Sequence, residues 1–137
     1  MPHNLSPQQQ EIILEAHQIE EESQHFQQQL GLIDEHISDM SSFQDALSTF
    51  SKENTSEILA PLGRGVFMKA QRMQEEKLFV DVGAGVVVRK SLGETKEIIV
   101  EQLSKLSEAR LSVISHLAEL NSRMIQLVTK LRSIKQE

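Results

Sequence analysis

His17, Glu21 and His25 fall at i, i+4 and i+8, one face of any helix that contains them, and imidazole and carboxylate at that spacing can bind a divalent cation. A metal site also needs a closed ligand shell and groups that orient the rings. Here the neighbours are Glu20 and Glu22, and none of the three falls at an inward position of the repeat described below, so a solvated acidic face accounts for them. His3, His36 and His116 share no such spacing. Gly63-Arg64-Gly65 and Gly83-Ala84-Gly85 raise the question of a phosphate loop. Such a loop must open a helix whose first amides meet the anion. Both pairs run instead into β-type sequence, and neither reaches a third glycine or a Gly-Lys-Ser/Thr, so they are turn glycines. Lys130-Leu131-Arg132-Ser133-Ile134-Lys135 has the look of a basic arm, but its two aliphatics keep the helical repeat and its charges flank it. No Ser/His/Asp set can be assigned, and long paired helices offer no cleft. The sequence therefore predicts no enzyme and no cofactor.

Composition narrows the classes further. Of 137 residues, 39% are hydrophobic but only 4% aromatic, with no Trp or Tyr, so aliphatic stripes must supply the buried area. A formal net charge of -6 argues against a nucleic-acid binder, which needs a basic surface. The chain has no Cys, which removes disulfides and thiol chemistry. The start, Met1-Pro2-His3-Asn4-Leu5, lacks the basic and apolar regions of a signal peptide, and no run approaches the ~20 apolar residues of a membrane span. The expected compartment is the cytosol, away from membranes.

Proline and glycine divide the chain into three. Five of the six glycines lie between Gly63 and Gly93, while two long stretches are nearly free of breakers. Those stretches predict helices over about 6–53 and 91–136. Each opens on a capping box, Ser6 with Gln9 and Ser91 with Glu94, in which side chains satisfy each other's orphan amides. In the first helix, Ile12, Ile19, Phe26, Ile33, Met40 and Leu47 fall at heptad position d, and Ala16, Ser23, Leu30, Ile37, Gln44 and Ser51 at a. In the second, Ile99, Leu106, Val113, Leu120, Leu127 and Ile134 fall at d, and Leu103, Arg110, Leu117, Met124 and Leu131 at a. A seven-residue repeat held this long specifies a coiled coil. Ser23 and Arg110 are polar at seam positions: they fix the register or loosen the rod, or the Arg stem snorkels outward. Gly31, at an outward b position, costs ~1 kcal/mol relative to Ala and gives the helix room to flex.

Charge chooses the partner. Residues 1–53 hold ten acidic residues and one basic, whereas residues 91–137 hold six acidic and seven basic. Glu11, Glu15, Glu20, Glu21 and Glu22 lie early in the first helix, and Arg123, Lys130, Arg132 and Lys135 late in the second, so an antiparallel hairpin brings opposite blocks together. The expected register pairs residues whose numbers sum to about 143, setting Ile12 against Leu131 and Ile37 against Leu106. Between the helices the period changes. Short β-branched or aromatic runs at about 57–61, 65–70, 77–82 and 85–89, separated by the glycine pairs, predict two β-hairpins within a module over about 55–90. The link at 71–76 lacks a turn residue. Small hairpins with open edges predict pairing with strands of other subunits.

Leu59-Ala60-Pro61-Leu62-Gly63-Arg64-Gly65-Val66-Phe67 and Leu78-Phe79-Val80-Asp81-Val82-Gly83-Ala84-Gly85-Val86-Val87-Val88 resemble the proline–aliphatic–Gly-x-Gly segment and the valine-rich strand of the alpha class of prefoldins. The resemblance covers nearly the whole chain in topology and about residues 59–88 in motif. Val86 departs from it, standing where many relatives carry an aromatic. It implies one prefoldin-like domain over 1–137: an α+β, mainly α chain, with a long antiparallel two-helix coiled coil and two β-hairpins at the bend that assemble into an oligomeric β-barrel. It further implies a hetero-hexamer of two alpha and four beta-class subunits that holds unfolded client proteins without ATP and delivers them to a group II chaperonin. Under that resemblance Pro61, Gly63, Gly65, Val66, Phe67, Leu78, Val80, Val82, Gly83, Gly85, Val86, Val87 and Val88 serve assembly.

The chain ends supply a candidate client-binding tip. Leu5, Leu14 and Ile125 are apolar residues off the seam, with Ile12, Leu131 and Ile134 on it at the same end. Ile13 and Val128, both at e, either join this set or merely widen the seam. Two functions fit this architecture, a holdase chaperone subunit and a coiled-coil adaptor that binds one fixed folded partner. Selectivity separates them, since an adaptor ignores denatured chains.

Overall fold

The structure, a computed structural model, describes residues 4–52, 57–71 and 77–135. The order of elements is α1 (Pro7–Lys52), β1 (Glu57–Gly63), β2 (Val66–Gln71), β3 (Leu78–Gly83), β4 (Val86–Lys90) and α2 (Leu92–Lys135). The predicted link at 71–76 lies, beyond Gln71, outside the described residues.

Both helices begin where the capping boxes place them. At α1, the Ser6 amide donates to Gln9 Oε1 (3.0 Å) and the Gln9 amide to Ser6 Oγ (3.1 Å). At α2, the Ser91 amide donates to Glu94 Oε1 (3.2 Å) and the Glu94 amide to Ser91 Oγ (3.1 Å). Each box satisfies two groups that a bare helix end leaves without partners. Thr95, buried one turn into α2, donates its hydroxyl to the Ser91 carbonyl (2.8 Å), so no polar atom is stranded there.

The chain divides into two compact units, residues 1–37 with 105–137 and residues 38–104. In the first, the start of α1 packs antiparallel on the end of α2. Ile12, Ile19, Val113 and Leu120, all predicted d residues, form its buried core. The remaining a and d residues of this unit are half-buried, and no residue at b, c or f is buried. The heptad pattern thus translates directly into which side chains leave water. Three cross-helix contacts fix the alignment. Phe26 stacks on His116 with ring centroids 5.0 Å apart, Arg110 Nε donates to Asp34 Oδ1 at 2.6 Å, and Arg123 Nη2 lies 3.5 Å from Glu15 Oε1. Residue pairs 26/116 and 34/110 sum to 142 and 144, either side of the predicted register, while 15/123, joined through two long side chains, sums to 138. Arg110 settles its own ambiguity: its stem takes the seam position and its head reaches the edge to pair with a carboxylate of the other helix.

In the second unit, Leu47, Thr95 and Ile99 are buried, and the strands form two separate antiparallel hairpins, β1–β2 and β3–β4. The hairpins repeat one backbone design. Gly63 pairs with Val66 and Gly83 with Val86, closing two-residue turns at Arg64-Gly65 and Ala84-Gly85. All four turn residues have positive φ, as the turn matching strand twist demands. The preceding Gly63 (φ 115°) and Gly83 (φ 112°) sit where the register slips by one residue. The strands therefore run one or two residues past their predicted ends, because these glycines still pair. Asp81 adds a local clamp, its Oδ1 accepting the Gly83 amide at 2.8 Å.

Candidate functional site

Two surfaces carry exposed apolar residues without catalytic chemistry. In the first unit, a groove of about 640 Å³ opens at the paired chain ends. Ile12, Ala16, Leu127 and Leu131 come from the seam, while Leu5, Ile13, Leu14 and Val128 stand around it. Of the sequence-predicted tip residues, Ile12 is buried and contributes a wall rather than a free side chain. Leu131 and Ile134 are half-buried, and Leu5, Ile13, Leu14, Ile125 and Val128 are exposed. The groove gathers Leu5, Ile12, Ile13, Leu14, Val128 and Leu131; Ile125 and Ile134 lie outside its lining. Such a surface can hold apolar segments through non-directional hydrophobic attraction.

The histidine set noted first does no such gathering. His17 Nε2 lies 3.4 Å from Glu21 Oε1, while His25 turns to Gln29 (3.2 Å) and meets Phe26 edge-on. Among the described residues no group of three His, Asp or Glu side chains could hold a metal ion, and no helix is long and apolar enough to cross a membrane.

In the second unit each hairpin has unlike faces. On β3–β4, Leu78, Val80 and Val88 are half-buried, whereas Phe79 and Val87 point the other way and are exposed. Arg89, paired across from Phe79, places its guanidinium 5.8 Å from that ring. Leu78 and Val80 line a groove of about 530 Å³ with Met40, Leu47, Ile98 and Ile99. On β1–β2, Ile58 and Ala60 are half-buried, while Leu59, Leu62, Val66, Phe67 and Met68 are exposed. The predicted assembly set is thus split by exposure: Val66, Phe67, Val82, Val86 and Val87 are exposed, and Leu78, Val80 and Val88 are partly covered by this chain. Leu59, Met68 and Phe79 were missed as exposed apolar residues. Apolar side chains at both odd and even strand positions were the signal, since a strand with one wet face alternates.

The titration of Glu94 is shifted. The hydrogen bond from the Ser91 amide, then the Ser91 side chain, then nearby Lys90 and Lys77, hold its carboxyl below the ordinary range, outweighing slight desolvation. It belongs to the cap of α2, and its shift is structural rather than a sign of catalysis.

Two capped helices, a heptad seam and twin hairpins between them define a class of helical-hairpin subunits, and comparison with known proteins is specific. The family model for prefoldin subunits matches residues 19–137. The prefoldin subunit alpha of Thermofilum pendens is 32% identical over 108 residues, covering 73% of this chain and 84% of that protein. The prefoldin subunit alpha of Pyrococcus horikoshii is 26% identical over 121 residues, covering 87% of this chain and 82% of that protein. In fold, the chain is similar to filamentous PFD from Methanocaldococcus jannaschii, determined by cryo-EM, with a TM-score of 0.71 at 18% identity over 82% of this chain and 94% of that one. The chain belongs to the prefoldin family, in its alpha class, and is a chaperone subunit.

Proposed function

We propose that this chaperone subunit assembles with beta-class prefoldin subunits, two alpha to four beta, through the exposed strand faces, and that it holds unfolded chains at its paired ends. Holding needs no nucleotide, and the held chain passes to a group II chaperonin in the cytosol. The observation that carries this reading is the contrast within the first unit. Its seam is closed over Ile19 and Leu120, yet Leu14 stays 60% exposed beside an open apolar groove, with Ile125 exposed on the facing helix. Aliphatics left in water beside a satisfied core mark a surface kept for a partner. The adaptor reading has no observation in its favour, because the groove offers few directional groups that would select one folded surface.

The test begins with co-expression with a beta-class subunit and native mass measurement. Leu14→Ser with Ile125→Ser should leave the mass unchanged while suppression of aggregation of a denatured client falls several-fold. Unchanged suppression would refute the assignment of the holding surface, and failure to form any hetero-oligomer would remove the assembly.

A further inference from the structure

The two edges of the helix pair in the first unit are chemically different. Along one edge run the g positions, where Glu15 meets Arg123 at 3.5 Å and opposite charges neutralise each other. Along the other run the e positions. There α2 presents Ile114 and Val128 at e, with Asn121 between them, and Leu111, Ala118 and Ile125 at seven-residue spacing at the adjoining b, a second mainly apolar stripe beside the seam. Leu111 is 66% exposed and Ile125 57% exposed, so none of the described residues covers the stripe there. From Leu111 to Thr129 its outer border, at f, is Ser115, Ser122 and Thr129, all uncharged, and Arg132 at the next b position ends it. Across the seam, α1 borders the same edge with carboxylates. Glu20 stands at e and lines the apolar groove, while Glu21 and Glu35, at f, lie on the outward face of the same helix. Asp34, also at e, is matched by Arg110, but Glu20 has no basic partner among the described residues. No Lys or Arg occurs in α1 before Lys52.

An apolar track flanked on one side by an acidic helix, whose Glu20 has no basic partner among the described residues, fits one kind of occupant. It must offer aliphatics at helical or extended spacing and cations along one border, because an acidic segment would bring like charges together beside a low-dielectric surface. A second copy of this chain fits poorly, since it would bring its own acidic α1 with the stripe. We infer that the e-side edge of this helix pair is a client track that prefers apolar segments rich in Lys and Arg, and that it runs beyond the terminal groove to Leu111. The inference rests on the client-holding role proposed above and names the class of client segment. A chain emerging unfolded with a basic, aliphatic stretch would be held along several turns of α2 rather than at the ends alone.

The test uses the assembled hetero-oligomer and two fluorescent amphipathic peptides about five helical turns long, identical in their Leu face and bearing either Lys or Glu on the other. Binding is followed by anisotropy. The Lys peptide should bind about fivefold or more tightly at low salt, and the gap should close as ionic strength rises and the Debye length shrinks. Glu20→Gln with Glu21→Gln should narrow the gap without weakening the Glu peptide. Leu111→Gln with Ile114→Gln should weaken both peptides while leaving helix content intact, because Gln is a good helix former. Equal binding of the two peptides at low salt overturns the charge preference. Peptide binding indifferent to Leu111 and Ile114 overturns the track, as does a change of native mass in that variant, which would make the stripe an interface between subunits. Aggregation suppression is measured in parallel. If holding persists without charge preference, the track fails and the holding role stands; if holding is absent altogether, both fall.

Discussion

Ile19→Ala is the sharpest perturbation of the helix pair. Ile19 is 2% exposed at a d position, the most deeply buried large side chain among the described residues. The change removes three carbon atoms, worth ~2.4 kcal/mol at ~0.8 kcal/mol per buried methylene. The void between two helices adds to this, because neither backbone can close fully on it, giving about 3 kcal/mol, within the range for buried Ile to Ala. Leu14→Ala removes a similar volume five residues away, at an outward f position that is 60% exposed, and should stay within about 0.5 kcal/mol. Urea unfolding followed by far-UV circular dichroism reads both, at fixed subunit concentration because assembly adds to apparent stability. An Ile19→Ala loss under about 1 kcal/mol, or equal losses at the two sites, would refute the inward and outward assignment on which every surface argument here depends.

Two further outcomes follow from the caps and the turns. Glu94 has a folded pKa below its unfolded one, so its contribution is complete above the unfolded value and is lost as pH falls through the folded one. Glu94→Gln keeps the capping geometry without the charge, so its unfolding midpoint should fall less steeply than that of the parent on acidification; parallel curves would contradict the account. Gly63→Val and Gly83→Val force a β-branched residue to φ 115° and 112°, with no atom within 4 Å of the new Cβ to clash. The cost of about 1–3 kcal/mol is therefore backbone strain, and native mass should show reduced assembly with unchanged helix content. Normal assembly by both variants would show that the bulged turns are dispensable.

The helices were legible because their signals are local and redundant. A Ser and a Gln or Glu three apart mark each start, and a seven-residue repeat marks the inward face over many turns. Charge blocks gave direction, and the Glu15–Arg123 contact shows them meeting. The hairpins were legible as elements because Gly-x-Gly has few other uses between β-branched runs, but their faces were not. With apolar residues at successive positions in Val86-Val87-Val88, period two carries no contrast, and only burial in the folded chain distinguishes half-buried Val80 from exposed Phe79. The second stripe of α2 escaped notice for a related reason. Leu111 and Ile125 lie fourteen apart, as do Ile114 and Val128, with Ala118 and Asn121 at the positions between, so the repeat shows only after the first seam has been assigned.

The two surfaces face different energetic demands, and that difference explains their compositions. Each sheet has only two strands, a size marginal alone in water, and leaves Leu59, Phe67, Phe79 and Val87 exposed. In the assembly proposed above, partner strands would cover these faces, so folding of the hairpins is coupled to association. Bulky Phe and Val suit that permanent burial, as they bury large areas with few rotamers to lose. In the holding role proposed above, the groove at the chain ends would have to release what it binds. Separate Leu and Ile side chains set among Gln, His and Glu give weak, additive contacts, and none of the five Phe of the chain lines it. A Phe at Leu14 would deepen each contact and slow release. Aliphatic sparseness at the ends is thus what a holding surface requires, and the aromatic content of the hairpins is what a permanent joint requires.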